Sequence, residues 1–316
     1  MKQSFLIIIC VLIKATTLGQ KTEKIAFYNV ENYFDTIDGP NDDAEFLPTA
    51  ASNWNTSKYK EKINHIQQVI RDLNYPLAVG MCEIENKQVL EDLTKNKKFK
   101  RYKISHYDSE DPRGIDVGLL YNSSKLKLIS NGTIRFVLPG EAKPNTRDIL
   151  WSKFVCKKDT LFILVNHWPS RRSGTAESEP KRLCAAQHAT AFLDSLLSAN
   201  KSSKIVFMGD LNDYPEDKAP QQISFRLSPQ ITEKSGSFGG THQYKGEWDV
   251  LDHIFISNGM KNGKLKIIEN SGKINEFPYL IEVFKGNKQP FRTYVGTKYL
   301  GGYSDHLPVS IDISVP

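Results

Sequence analysis

Thiols are scarce in this chain. It has four cysteines in 316 residues, at positions 10, 82, 156 and 184, and no pair is spaced as in a zinc site. It also has no repeat, no low-complexity tract and no Pro/Gly-rich linker long enough to divide it. That excludes disulfide scaffolds, zinc modules and repeat solenoids. No strong charge of one sign is present either. There are 42 basic and 36 acidic residues, for a net charge of +6, an excess that permits a polyanionic substrate without requiring one. The longest apolar run, Phe5–Ile13, is too short to span a bilayer.

That run has the features of a leader. Lys2 precedes it, and small and polar residues from Ala15 to Gly19 follow. The pattern predicts a cleaved secretory signal over 1–19 and a secreted or periplasmic protein, with a buried first strand or an anchor as the alternatives. Cys10 follows Ile9 in the middle of the run, which does not fit a lipoprotein site. Losing Lys2 and Lys14 with the leader lowers the charge from +6 to +4. Cys82, Cys156 and Cys184 then remain, so at most one disulfide forms. At least two of them read as small buried residues.

From residue 20 to 316 the pattern reads as one layered α/β domain. Strands are expected at 24–30, 77–84, 102–108, 114–122, 125–130, 133–138, 149–156, 160–168, 204–212, 251–257 and 307–313. Helices are expected at 57–73, 86–96 and 181–198, the first from Tyr59, Ile63, Ile66, Val69, Ile70 and Leu73 at helical spacing.

The strand termini share one feature. Strands end in Asn29 and Glu31, in Glu83 and Glu85, in Asn166 and His167, and in Asp210, Asn212 and Asp213. Two more begin with Asp252–His253 and Asp305–His306. One such terminus is an ordinary turn or cap. Six together point to polar groups meeting at one rim of a sheet sandwich. Hard oxygen donors with few thiols suit Mg²⁺ or Mn²⁺.

The segments "NVEN", "CEIEN", "NHW", "MGDLND", "LDHIFIS" and "SDHLPV" occur in that order. In this the chain resembles the endonuclease/exonuclease/phosphatase superfamily, deoxyribonuclease I-like, over about residues 24–313, and within it a secreted bacterial nuclease-like branch. The resemblance implies a four-layered α/β/β/α sandwich of two packed mixed β-sheets flanked by helices. It also implies an Mg²⁺- or Mn²⁺-dependent phosphoesterase working by in-line attack of water on phosphorus.

The resemblance implies roles residue by residue. Glu83 matches the metal-ligand glutamate. Glu85 competes, because i and i+2 share a strand face and the face alone does not decide. Asn29 matches a residue that contacts metal or phosphate, Glu31 a metal-supporting acid, and Asp305 an acid at or beside the metal. Asp210 matches the group that aligns or deprotonates the water, and Asn212 a donor to phosphate. His306 matches the imidazole donor to the phosphoryl oxygens, with Asp252 holding it, and His167 a second imidazole. Asp213 reads as a turn residue. His65, His106, His188 and His242 read as structural or surface residues.

Substrate contacts are expected from Arg171, Arg172, Lys181 and Arg182 around "NHWPS", with Trp168 stacking a base. A solvated basic loop is the alternative. Arg113 and Arg147 are further candidates for phosphate contact, and Arg292 and Tyr294 for shaping the pocket. The expected partner is nucleic acid or another phosphoester. A phosphatase of small or lipid phosphates is the alternative, since no long lipid-docking loop and no inositol-specific motif is evident. A secreted binding protein without catalysis is a third reading. A monomer without a stable membrane span is expected.

Overall fold

Strand Lys204–Asp210 shows how the sandwich is built. Val206 and Met208 join a core with Val79, Met81, Ile163 and Val165 of other strands. On the opposite face, Ile205 and Phe207 pack with Ala185, Ala186, Ala189 and Leu193 of a helix. A strand covered on both faces has no reason to alternate with polar residues, so it reads as one apolar run.

The structure, a computed structural model, describes residues 21–316, so the leader read over 1–19 lies outside the described residues. The chain runs β1 (Lys21–Tyr33), α1 (Thr56–Asp72), β2 (Ala78–Ile84), α2 (Lys87–Thr94), β3 (Tyr102–His106), β4 (Asp116–Asn122) and β5 (Lys127–Ile134). Next come β6 (Ile149–Cys156), β7 (Asp159–His167), α3 (Thr175–Ala199), β8 (Lys204–Asp210), α4 (Lys218–Ser224) and β9 (Ser228–Pro229). The last part holds β10 (His242–Tyr244), β11 (Glu247–Asp249), β12 (Asp252–Ile256), β13 (Lys266–Ile267) and β14 (Lys273–Ile274). It ends with β15 (Ile281–Phe284), β16 (Asn287–Pro290), β17 (Tyr294–Val295), β18 (Lys298–Tyr299) and β19 (Val309–Val315).

One sheet has seven strands in the order β13-β19-β1-β2-β4-β3, with β14 also on β19. The other has six, in the order β5-β6-β7-β8-β12-β9. Each contains one parallel pair, β1 with β2 and β7 with β8, flanked by antiparallel strands. A parallel pair needs a long crossover, and α1 and α3 provide the two. The C-terminal ends of β1, β2, β7 and β8 therefore open on one rim. The expected sandwich of two mixed sheets between helices is what forms. Asn55 and Asn86 start α1 and α2 by accepting backbone N–H groups of the first turn.

Several local expectations change. β5 runs on through Ile134, so the two strands expected at 125–130 and 133–138 are largely one. α3 begins at Thr175, before the expected 181, with Pro180 inside it. α4 and the short hairpins between 242 and 299 carry no clear periodicity in the sequence. Cys82, Cys156 and Cys184 are all free thiols, so the one disulfide allowed by counting is not made.

Arg182 leaves the expected rim altogether. It is fully buried, and its Nε lies 2.6 Å from Oδ1 of Asp213, which is therefore more than a turn residue. Removing one partner strands a buried charge, at a cost of about 3–5 kcal/mol. Arg182→Met is expected to lose that much in chemical denaturation, and Arg182→Met with Asp213→Leu to recover most of it. A single variant as stable as the parent would show that the pair carries no such charge.

Candidate active site

At the rim the strands leave regular geometry. β1 and β2 lose register between Asn29 and Tyr33, and Glu31 and Asn32 adopt φ of 52° and 50°. β2 and β4 shift between Cys82 and Ile84, which makes Glu83, at φ 61°, the extra residue of a bulge. Asn212 has φ 51°. Such non-glycine conformations cost about 1–3 kcal/mol each and persist where the surroundings hold them. Gly209 serves the same rim, because a Cβ there would lie 2.4 Å from the backbone oxygen of Asn166.

The bulge separates Glu83 from Glu85. Glu83 lines the rim cavity, while Glu85 turns away and accepts the backbone N–H of Asp35 at 2.6 Å. The expectation that i and i+2 share a face fails here because one residue is inserted. Glu83 Oε2 accepts from Asn32 N–H at 2.9 Å, and its Oε1 lies 3.3 Å from Asn29 Nδ2. Asn29 is fully buried. Its oxygen accepts Glu31 N–H, so its amide nitrogen points to Glu83 and, at 3.1 Å, to Asp210 Oδ2. In this orientation the amide nitrogen organises two carboxylates and the oxygen is engaged by Glu31 N–H, whereas the expectation for Asn29 is a contact to metal or phosphate.

β8 and β12 set the second wall. Asp210 pairs with His167 across β7–β8 and with Asp252 across β8–β12. Asp252 Oδ2 lies 2.7 Å from Nδ1 of His306, and the other ring nitrogen of His306 is 3.8 Å from Asp210. Burial opposes the imidazolium, but Asp252 and Asp210 outweigh it and hold His306 well above the ordinary histidine value. Asp210 is pushed up to about 7, first by burial and then by Asp252, against the pull of His306. Its Oδ1 accepts the backbone N–H of Asn212. His167 Nε2 is also 3.8 Å from Asp210, but burial and the nearby Arg147 push its value well down, so it is neutral.

The last loop completes the rim. Asp305 lies 2.9 Å from the Arg292 guanidinium, which also reaches Glu31 at 3.3 Å. Burial works against the Asp305 charge, yet His306 and Arg292 hold it below the usual carboxylate value. Glu31 does not line the cavity that Glu83 faces. It accepts Thr293 N–H at 2.6 Å, tying β1 to this loop. Behind it, Lys62 of α1 is buried and donates to Thr293 Oγ1 and Tyr303 O.

These groups line one cavity of about 770 Å³, with Glu83, His167, Asp210, Asn212, Asp305 and His306 on its walls. Arg113, Arg147, Arg171, Arg172 and Arg292 line it too. Arg113 donates to Asn32, Arg147 to Asp111 and to Trp168 O, and Arg171 stacks over Tyr214 at 4.0 Å. Asn212 Nδ2 donates to Trp168 O at 3.1 Å.

Trp168 does not fill its expected role. It is 1% exposed, donates to Asn166 Oδ1 and packs on Phe207, because it starts the turn that covers the outer core. No base can stack on it. His242, read as structural or surface, instead lines the cavity with its ring 4.8 Å from that of His306. Burial and the His306 charge push it down to about 4. Nothing in its local sequence signals this, since a short hairpin brings it there.

The donor set fits a divalent cation. Glu83 has no ion-pair partner among the described residues, although it faces a cavity shared with Asp210 and Asp305. These are hard oxygen donors, and the one nearby thiol, Cys82, is buried and pushed up by burial, hence unsuited to binding as thiolate.

The profile of the Endonuclease/Exonuclease/phosphatase family matches residues 24–315, and the chain belongs to that family. No curated protein matches it in sequence. Among solved structures it is similar to the human Nocturnin catalytic domain with bound sulfate, at 15% identity and TM-score 0.56, over 93% of this chain and 95% of that one. It is similar to D. rerio TDP2 complexed with a single-strand DNA product, at 14% identity and TM-score 0.57, over 92% and 98%. It is also similar to a mannosyl-6-phosphatase of Bacteroides thetaiotaomicron, at 15% identity and TM-score 0.57, over 92% and 99%. At these identities the likeness is one of fold.

Proposed function

We propose that this chain is a divalent-metal-dependent phosphodiesterase of the nuclease type, exported by its leader to the periplasm or the medium. The observation that carries the reading is the pairing of Asp210 with the His306–Asp252 couple in a cavity lined by five arginines.

Glu83 and Asp305, which line the same cavity, would hold Mg²⁺ or Mn²⁺, which when bound would neutralise charge on the phosphoryl oxygens. Asn29 keeps Glu83 and Asp210 in position through its amide nitrogen. Asp210, at about 7, takes a proton from the attacking water. His306 is kept charged by Asp252 and donates its free ring N–H to a phosphoryl oxygen. Asn212 adds an amide donor. Neutral His167 offers a hydrogen bond without a charge. Water adds to phosphorus as its proton passes to Asp210, the ester P–O bond breaks, and the departing alkoxide takes a proton from solvent water.

Arg113, Arg171 and Arg172 bind the diester backbone. A second reading, a phosphatase of small phosphates, draws support from the mannosyl-6-phosphatase of similar fold. Among the described residues no helix is long and apolar enough to cross a membrane.

The test is a panel of plasmid DNA, RNA, a bis-ester dye and a mono-ester dye, assayed with Mg²⁺, with Mn²⁺ and with a chelator. Diester cleavage that stops on chelation and returns with Mg²⁺ is expected. Cleavage of the mono-ester alone would transfer the protein to the phosphatase reading, and cleavage of nothing to the binding-protein reading.

A further inference from the structure

With Trp168 buried, the aromatic groups open to a substrate lie elsewhere. We infer that the pocket between the hairpins β10–β11, β15–β16 and β17–β18 is a nucleobase subsite, holding the ring of a nucleotide whose phosphate occupies the catalytic cavity. This rests on the nuclease reading and deepens it.

A second cavity of about 450 Å³ lies between these hairpins. It shares Tyr244, Arg292 and Asp305 with the catalytic cavity, so the two spaces adjoin at residues beside the scissile position. Its apolar wall is exposed to an unusual degree. Tyr244 is 62% exposed, Phe284 51% and Val295 51%. Large side chains left in water next to a site are available as contact surface.

The polar lining decides what kind of group fits. Gln243, Glu282 and Gln289 stand beside the apolar wall. Gln289 Nε2 donates to Glu282 Oε1 at 2.7 Å, which leaves the other Glu282 oxygen and the Gln289 carbonyl as acceptors. Gln243 makes no side-chain bond among the described residues and presents both a donor and an acceptor. An acyl chain here would strip water from these groups and return nothing. A base offers a π-face to the aromatic wall and hydrogen-bonding edges to the amides and the carboxylate. Lys245 and Lys298 also line the pocket and suit a polyanionic chain.

The test compares base-bearing and abasic single-stranded oligonucleotides of equal length, as DNA and as RNA, with Mg²⁺. The full chain is used, together with Tyr244→Ala, Phe284→Ala and Phe284→Trp. The parent is expected to favour the base-bearing strand in kcat/KM. Phe284→Ala should lower that preference by about 5- to 100-fold while leaving abasic cleavage unchanged, Tyr244→Ala should lower the preference as well, and Phe284→Trp should keep it. Cleavage without base preference in the parent, or a preference that survives both alanine variants, would overturn the subsite alone. Cleavage of neither strand by an enzyme active on a mono-ester would remove the nuclease reading and the subsite with it.

Discussion

His306→Ala and Asp210→Asn should each lose about 100- to 10,000-fold in kcat while folding as the parent does. His306 contributes a charged donor that Asp252 holds in one orientation at 2.7 Å, and alanine removes both charge and donor. Asp210→Asn keeps the shape but removes the proton acceptor, and with it the carboxylate charge that helps Asp252 hold His306 protonated. The pH profile separates the two. A carboxylate held up at about 7 must be ionised to act as base, so kcat/KM of the parent should fall as pH drops through about 7. His306 stays charged throughout that range, because its value lies well above the ordinary one. The acid limb should vanish from the residual activity of Asp210→Asn. Circular dichroism and thermal melting confirm the fold, and wild-type rates in either variant would refute the assignment.

A chain ending at Tyr303 should not fold. β19 lies next to β1 and carries β13 and β14 on its other side, so its loss strips one whole side of the seven-stranded sheet and leaves β1 as a bare edge. Leu307, Val309, Ile311 and Ile313 are all 0% exposed. At about 1.5–3 kcal/mol for each buried side chain, their removal costs about 6–12 kcal/mol, comparable to the whole stability of an ordinary domain. The truncation also deletes Asp305 and His306. The expected result is a chain with no cooperative melting transition and no hydrolysis. A cooperative transition would place the last strand outside the core.

The rim was legible in the sequence because strand ends are. A buried strand that runs out of the core must change from apolar to polar residues, and six such changes marked Asn29, Glu83, His167, Asp210, Asp252 and His306. Their convergence follows from two parallel pairs whose C-terminal ends share one edge. Less legible were features that depend on contacts between distant segments. The choice between Glu83 and Glu85 rests on a bulge, which strand periodicity does not record. Trp168 and Arg182 look like surface residues in a basic loop, yet one turns inward onto Phe207 and the other finds Asp213. His242 reaches His306 only because a short hairpin folds across the rim. The segment from 258 to 303 has strands of two to four residues, too short to carry a period.

Hydrolysis of a diester in heavy-oxygen water tests the central claim most directly, with the product analysed by mass spectrometry. Water attacking phosphorus in the cavity of Asp210 and His306 should place the label on the phosphate-bearing product in the parent. Asp210→Asn should release almost no labelled product in the same time. Label in the alcohol product, or labelled phosphate formed equally fast by Asp210→Asn, would contradict the account.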